Sequence, residues 1–105
     1  MYAVIRDNQY DPKKLAQSAK EMEEFNAHHA AQPGYDGNMV VDLSNGHMLI
    51  VTLWQTEKQA HAARVALEPA IQRLLVPLMT RPSQLIGAGP VVVSDLTGSA
   101  GELRQ

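Results

Sequence analysis

Two alternating apolar runs, Tyr35–Leu43 and His47–Trp54, flank the tripeptide Ser44-Asn45-Gly46. Asn-Gly is the strongest short hairpin signal, because the two-residue turn that matches strand twist needs a positive φ at both of its positions. With Asn45-Gly46 as that turn, Gly37 faces Trp54, Met39 faces Thr52 and Val41 faces Ile50. Asn38, Val40 and Asp42 then face Leu53, Val51 and Leu49. Side chains alternate along a strand, so Tyr35, Met39, Val41, Met48, Ile50, Thr52 and Trp54 share one face. Gly37 opposite Trp54 leaves room for the indole to lie flat. A one-residue slip would invert this assignment. Both faces are apolar, since the other carries Leu49, Val51 and Leu53. Burying each of those side chains is worth roughly 1.5–3 kcal/mol, so neither face is expected to stay wet.

The flanking sequence supplies a cover for one face. Tyr2 to Arg6, rich in β-branched and aromatic residues, reads as a first strand, and Asn8 to Tyr10 as a connection. Asp11-Pro12 opens a helix, Asp as its N-cap and Pro at its first position, which runs to about Ala31 with Leu15, Ala19, Met22, Phe25 and His29 on one face. Thr56-Glu57-Lys58-Gln59 is a capping box that opens a second helix with Ala60, Ala63 and Leu67 as its stripe. Pro69 is expected to interrupt it, and a further run, Ala70 to Met79, to be kinked or ended by Pro77. The last strand lies within Gln84–Leu96, centred on Val91-Val92-Val93, and Gly87, Gly89 and Pro90 predict a bulge and an edge position. Residues 97–105 read as a frayed tail.

The order β-α-β-β-α-β, with right-handed crossovers, gives a ferredoxin-like α+β fold. It is a four-stranded antiparallel sheet with both helices on one side. No element remains for the face bearing Leu49, Val51 and Leu53. A second copy of the same sheet is the economical cover, so a homodimer packed sheet to sheet is expected.

Composition narrows the function classes. Nine Lys and Arg against eleven Asp and Glu give a net charge of −2, unlike the clustered positive charge that nucleic acid demands. There is no Cys, which excludes disulfide scaffolds, zinc-thiolate sites and thiol nucleophiles. The start, Met1-Tyr2-Ala3-Val4-Ile5-Arg6, lacks the basic lead and long apolar stretch of a signal peptide. No apolar run approaches the roughly 20 residues that span a bilayer. A cytoplasmic protein with no membrane or nucleic-acid partner is the expectation.

Three stretches carry a family resemblance. They are Gln32-Pro33-Gly34-Tyr35-Asp36-Gly37 entering the second strand, Val51-Thr52-Leu53-Trp54 leading into the second helix, and the ending Ala88-Gly89-Pro90-Val91-Val92-Val93. In these the chain, over residues 1–96, resembles the antibiotic-biosynthesis monooxygenases, dimeric α+β barrels. The resemblance implies a pocket between sheet and helices within each subunit. It also implies a range of activities: cofactor-free oxygenation of aromatic polyketides and quinols, haem degradation, isomerase-like chemistry, or none. On the expected pocket face stand Tyr35, Met39, Thr52 and Trp54, joined by Phe25 and His29 from the first helix, a mix that suits a small aromatic ligand.

Cofactor-free oxygenation needs a proton acceptor, donors aimed at a developing oxyanion, and a dry cavity. His29 is the candidate acceptor, and Trp54 and Tyr35 are candidate donors. Phe25, Met39 and Thr52 are candidate walls, and Arg6 a candidate anchor for an anionic group, on a strand whose register the sequence leaves open. Each has a plainer reading: a buried histidine near a helix C-terminus, core aromatics, and a tyrosine capping the sheet. A non-catalytic binding or dimerisation module is the alternative function. The haem-degrading branch uses Asn, Trp and His, and Asn8, Trp54 and His61 match that order loosely. His61 comes sooner after Trp54 than that branch implies. No metal is expected: His28 and His29 point about 100° apart on a helix, and Glu57 and His61 read as a solvated i, i+4 pair.

Overall fold

The computed structural model describes residues 1–92 and Asp95. Its strands are β1 (Tyr2–Gln9), β2 (Tyr35–Asp42), β3 (His47–Trp54) and β4 (Gln84–Pro90). They form one antiparallel sheet in the order β2-β3-β1-β4. Helices α1 (Pro12–Ala16), α2 (Ala19–Ala30) and α3 (Glu57–Ala70) complete the α+β ferredoxin-like fold that the element order predicts. Trp54, Ala60, Ala63 and Leu67 form the buried centre between sheet and α3. No helix among the described residues is long and apolar enough to cross a membrane. The expected tail at 97–105, and Val93 of the expected last strand, lie outside the described residues.

Helix starts follow the sequence closely, because capping is local. The Asp11 Oδ1 accepts from the backbone N–H of Lys13 (2.9 Å) and Lys14 (3.1 Å) ahead of Pro12, and the Thr56 hydroxyl accepts from Gln59 N–H. The first helix is nevertheless two. The Ser18 hydroxyl donates to Lys14 O at 2.6 Å, and Gln17 N–H also turns back to that carbonyl, tightening and ending α1. Pro69, expected to interrupt the second helix, is instead absorbed in α3. The N–H that Pro69 lacks would have bonded the carbonyl of Val65, and both residues lie on the exposed side. The chain then widens into a π-helical turn at Ile71–Leu75 and tightens into a 3-10 turn at Val76–Leu78, with Pro77 near the start of that last turn.

The hairpin register differs from the expected one by a residue. Met39 pairs with Val51, Val40 with Ile50, Asn38 with Thr52 and Gly37 with Leu53. Leu43 and His47 are bonded across a loop of three residues, Ser44-Asn45-Gly46, all at positive φ. The reason is tertiary. Gly46 O accepts from Tyr10 N–H at 2.8 Å, and a Cβ on Gly46 would stand 2.2 Å from Tyr10 O, so the loop is clamped against the end of β1. At the other end Asp36 is an extra residue between Tyr35, paired with Trp54, and Gly37, whose φ of 128° suits only glycine. Slip and bulge cancel at Tyr35 but not beyond it. Asn38 and Val40 therefore share the helix-side face with Thr52 and Ile50, and Met39 and Val41 move to the outer face with Leu49, Val51 and Leu53. Gly37 faces Leu53, not the indole.

β4 occupies an edge, and its irregularity falls at Ile86, between Leu85 opposite Arg6 and Gly87 opposite Ile5. It ends at Pro90 and not among the valines that follow, because β1, its partner, begins at Tyr2. Val91 N–H makes one last bond, to Met1 O.

Candidate functional site

β1 presents Tyr2, Val4, Arg6 and Asn8 toward the helices, and β3 presents Met48, Ile50, Thr52 and Trp54 beside them. Helices α2 and α3 bridge these rows without filling the space beneath. A cavity of about 290 Å³ remains, walled also by Phe25, His29, Asn38, Val40, Arg64 and Leu85. Met22, Phe25 and Met48 stand in its wall but do not plug it.

One end is aromatic. Trp54, 3% exposed, closes β3. His29, in the last turn of α2, lies with its ring centroid 5.6 Å from those of Trp54 and Phe25 and 5.1 Å from that of Tyr35. Tyr35 stands 5.7 Å from Trp54, nearly perpendicular to it, a preferred arrangement for aromatic pairs. A helix C-terminus favours a cationic histidine, but burial opposes it and wins, holding His29 below its ordinary 6.5. The imidazole is thus neutral at neutral pH and able to take a proton. Burial likewise pushes the Tyr35 phenol up. The Trp54 Nε1–H, read from the sequence as a donor for a ligand, is engaged: it donates to Thr52 Oγ1 at 3.0 Å. The free proton at this spot belongs to the Thr52 hydroxyl.

The middle of the cavity is cationic. The register turns Arg6 inward, where its guanidinium donates to Ser83 Oγ at 3.2 Å. Its pKa is lowered by burial first and then by Arg64, with Glu68 working the other way. Arg64 is itself paired with Glu68 at 2.9 Å.

Of the residues singled out from the sequence, His29, Trp54, Phe25, Thr52 and Arg6 line the cavity, and Tyr35 packs behind it against two of their rings. Met39 does not: paired with Val51 and 48% exposed, it lies on the outer face, displaced by the one-residue slip. Sequence reasoning set aside Asn38, which the same slip brings inside. It also placed Asn8 beyond the first strand, whereas β1 runs to Gln9 and Asn8 is buried in the wall. The signal was present in the alternation Tyr2, Val4, Arg6, Asn8, Tyr10, which a longer strand would have put on one face. His61 reaches the cavity at its exposed rim, edge-on to Tyr2 and 3.8 Å from Glu57. No three His, Asp or Glu side chains come together among the described residues in a way that would hold a metal ion.

No protein-family model matches the sequence, and no curated protein matches it. Solved structures do match. A Nitrosomonas europaea protein named as an antibiotic biosynthesis monooxygenase superposes with a TM-score of 0.71 at 14% identity, over 89% of this chain and 100% of its own. A Caulobacter crescentus protein named likewise gives 0.71 at 15%, over 88% and 90%. SnoaB from Streptomyces nogalater, a cofactor-independent oxygenase, gives 0.69 at 15%, over 89% and 94%. At such identities the likeness concerns the backbone, and on that ground the chain has the fold of the antibiotic biosynthesis monooxygenases.

Proposed function

We propose that the protein is a cofactor-independent monooxygenase acting on a small aromatic or quinol-type molecule held in this cavity. The supporting observation is the open apolar chamber that ends on a neutral, buried His29 framed by Trp54, Tyr35 and Phe25. A non-catalytic module of the same fold would be better served by a packed interior. Here Met22, Phe25 and Met48 leave the space open, and Met39, expected on the inner face, faces outward.

The chemistry asks little of the protein beyond placement. His29 takes the proton of a phenolic hydroxyl, and the resulting anion is rich enough in electrons to reduce oxygen. One oxygen atom enters the ring as a carbonyl and the other leaves as water, so that a naphthol and O₂ give a naphthoquinone and water. The substrate supplies all the electrons. The Thr52 hydroxyl, oriented by the Trp54 N–H, is the donor nearest the charge that develops, in surroundings where donors act strongly, and Tyr35 braces the rings from behind. Arg6 holds an acidic oxygen farther along the substrate.

The test is oxygen uptake with a panel of hydroquinones and naphthols. Turnover is expected, with kcat/KM falling about 10²-fold or more in His29→Ala. Absence of turnover across the panel, or rates indifferent to His29→Ala and Trp54→Phe, would count decisively for the non-catalytic reading.

We also propose a homodimer packed through the outer sheet face. Ile5, Leu49, Val51 and Leu53 lie there beside Met39 and Val41, which are 48% and 40% exposed. At Gly87 and Gly89 a Cβ would meet nothing within 4 Å, so the surface is flat as well as apolar. No element among the described residues covers it, and a second sheet has the matching shape.

A further inference from the structure

The cavity wall carries charge of one sign. The chain has eleven Asp and Glu against nine Lys and Arg, yet among the described residues no acid stands in that wall and two arginines do, Arg6 and Arg64. Arg6 bonds Ser83 Oγ and, among the described residues, forms no ion pair. Glu68, the acid that favours its charge, is tied down elsewhere. The Glu68 Oε1 accepts from Arg64 at 2.9 Å and its Oε2 from Gln72 at 2.7 Å, at the half-exposed surface of α3. Each guanidinium spends one donor on a protein side chain and keeps the rest. Two cations therefore converge on an apolar space with one surface carboxylate between them.

Register sets their place along the cavity. Tyr2 pairs with Trp54 and Arg6 with Ile50, so Arg6 leaves the sheet about 13 Å from the aromatic end. Ser83 precedes Gln84, the partner of Asp7, so its bond draws the guanidinium farther from Trp54. Arg64 lies three residues beyond His61, whose ring meets that of Tyr2, and so about 4.5 Å farther along α3. Between these charges and the aromatic end the sheet contributes Val4 and Ile50, both apolar.

We propose that Arg6 and Arg64 form a carboxylate clamp, so that the ligand of this cavity is a hydroxylated aryl carboxylate with its acid at the end of the ring system remote from the hydroxyl. Each guanidinium offers a planar fork of donors that matches the two oxygens of a carboxylate. The apolar stretch between clamp and His29 takes the rings. Glu68 is the competitor: it has the ligand's charge and already holds Arg64, so it weakens the clamp. A neutral phenol or quinone leaves both cations unmet. This rests on reading the cavity as a ligand site, but not on any turnover there.

The experiment uses the full chain under argon at low salt, with 2-naphthol, 6-hydroxy-2-naphthoate and 3-hydroxy-2-naphthoate as probes and titration calorimetry as the readout. The parent is expected to bind 6-hydroxy-2-naphthoate about tenfold more tightly than 2-naphthol. The 3-hydroxy isomer, whose acid adjoins its hydroxyl and cannot reach both ends at once, is expected to bind more weakly than the 6-hydroxy one. Arg6→Gln and Arg64→Gln should each remove most of the gain from the acid and leave 2-naphthol nearly unchanged. Glu68→Gln should strengthen binding of the acid severalfold and leave 2-naphthol nearly unchanged. A parent indifferent to the acid, equal affinity for the two isomers, or a preference that survives both arginine variants would overturn the clamp. So would an equal loss of 2-naphthol and acid in those variants, or weaker acid binding in Glu68→Gln. Should Arg6→Gln not fold, Arg64→Gln, at the half-exposed rim, decides on the same terms. Absence of oxygen uptake with the acid preference intact sinks the oxygenase reading alone, and turnover of neutral naphthols with no acid preference sinks the clamp alone.

Discussion

Neither face of the sheet is as uniform as burial alone would lead one to expect. The face beneath the helices carries Arg6, Asn8, Asn38 and Thr52 among its apolar residues, while the face with no cover carries Ile5, Met39, Val41, Leu49, Val51 and Leu53. Polar groups under helices are costly unless something meets them, and apolar rows in water are an unclaimed gain. Together they are the ground for proposing a ligand within and a partner without.

That contrast can be broken most sharply from outside. Val51→Asp puts a charge into the centre of the outer face, and sedimentation should show a dimeric parent and a monomeric variant, with dimerisation weakened about 10³-fold or more, roughly 4 kcal/mol. A monomeric parent would leave the outer face simply wet and remove the argument. On the inner side, Trp54→Ala deletes a large ring that is only 3% exposed beside the cavity. It should cost about 3–5 kcal/mol in denaturant unfolding, whereas the same truncation at exposed Val65, on the far side of α3, should stay within about 0.5 kcal/mol.

Acid separates the faces in another way. His29 is held below 6.5 when folded, so below that pH the unfolded chain binds more protons than the folded one, and stability falls as pH drops from 7 toward 5. His29→Gln should flatten the melting temperature over that range. Asp7 on the outer face has its carboxyl lowered, first by the hydrogen bond to His47, so its contribution is retained through that window and lost only at more acidic pH. The smallest effect is the most discriminating for register. Asn38→Ala should change ligand affinity a fewfold and leave the dimer alone, whereas neighbouring Met39→Ala should weaken the dimer by about 1–2 kcal/mol and leave ligand affinity alone. Exchanged outcomes would restore the two-residue turn that the sequence suggested.

Much of this was legible before the fold was known, and the boundary between what was and was not has a physical cause. The Asp11-Pro12 and Thr56 caps, the hairpin, the edge position of β4 and the strand-helix order are set by interactions a few residues long, so the sequence alone determined the α+β architecture. It also determined which β3 residues share Trp54's face, since alternation on an unbroken strand needs no partner. What the tertiary structure decided was everything that depends on one segment meeting a distant one. Tyr10 clamps Gly46 and moves β2 by one residue as far as the Asp36 bulge, exchanging Met39 for Asn38. The length of β1 sets the end of β4 and brings Asn8 into the wall. A hairpin's register is a small difference between two nearly equivalent pairings, and a single contact from outside the hairpin is enough to settle it.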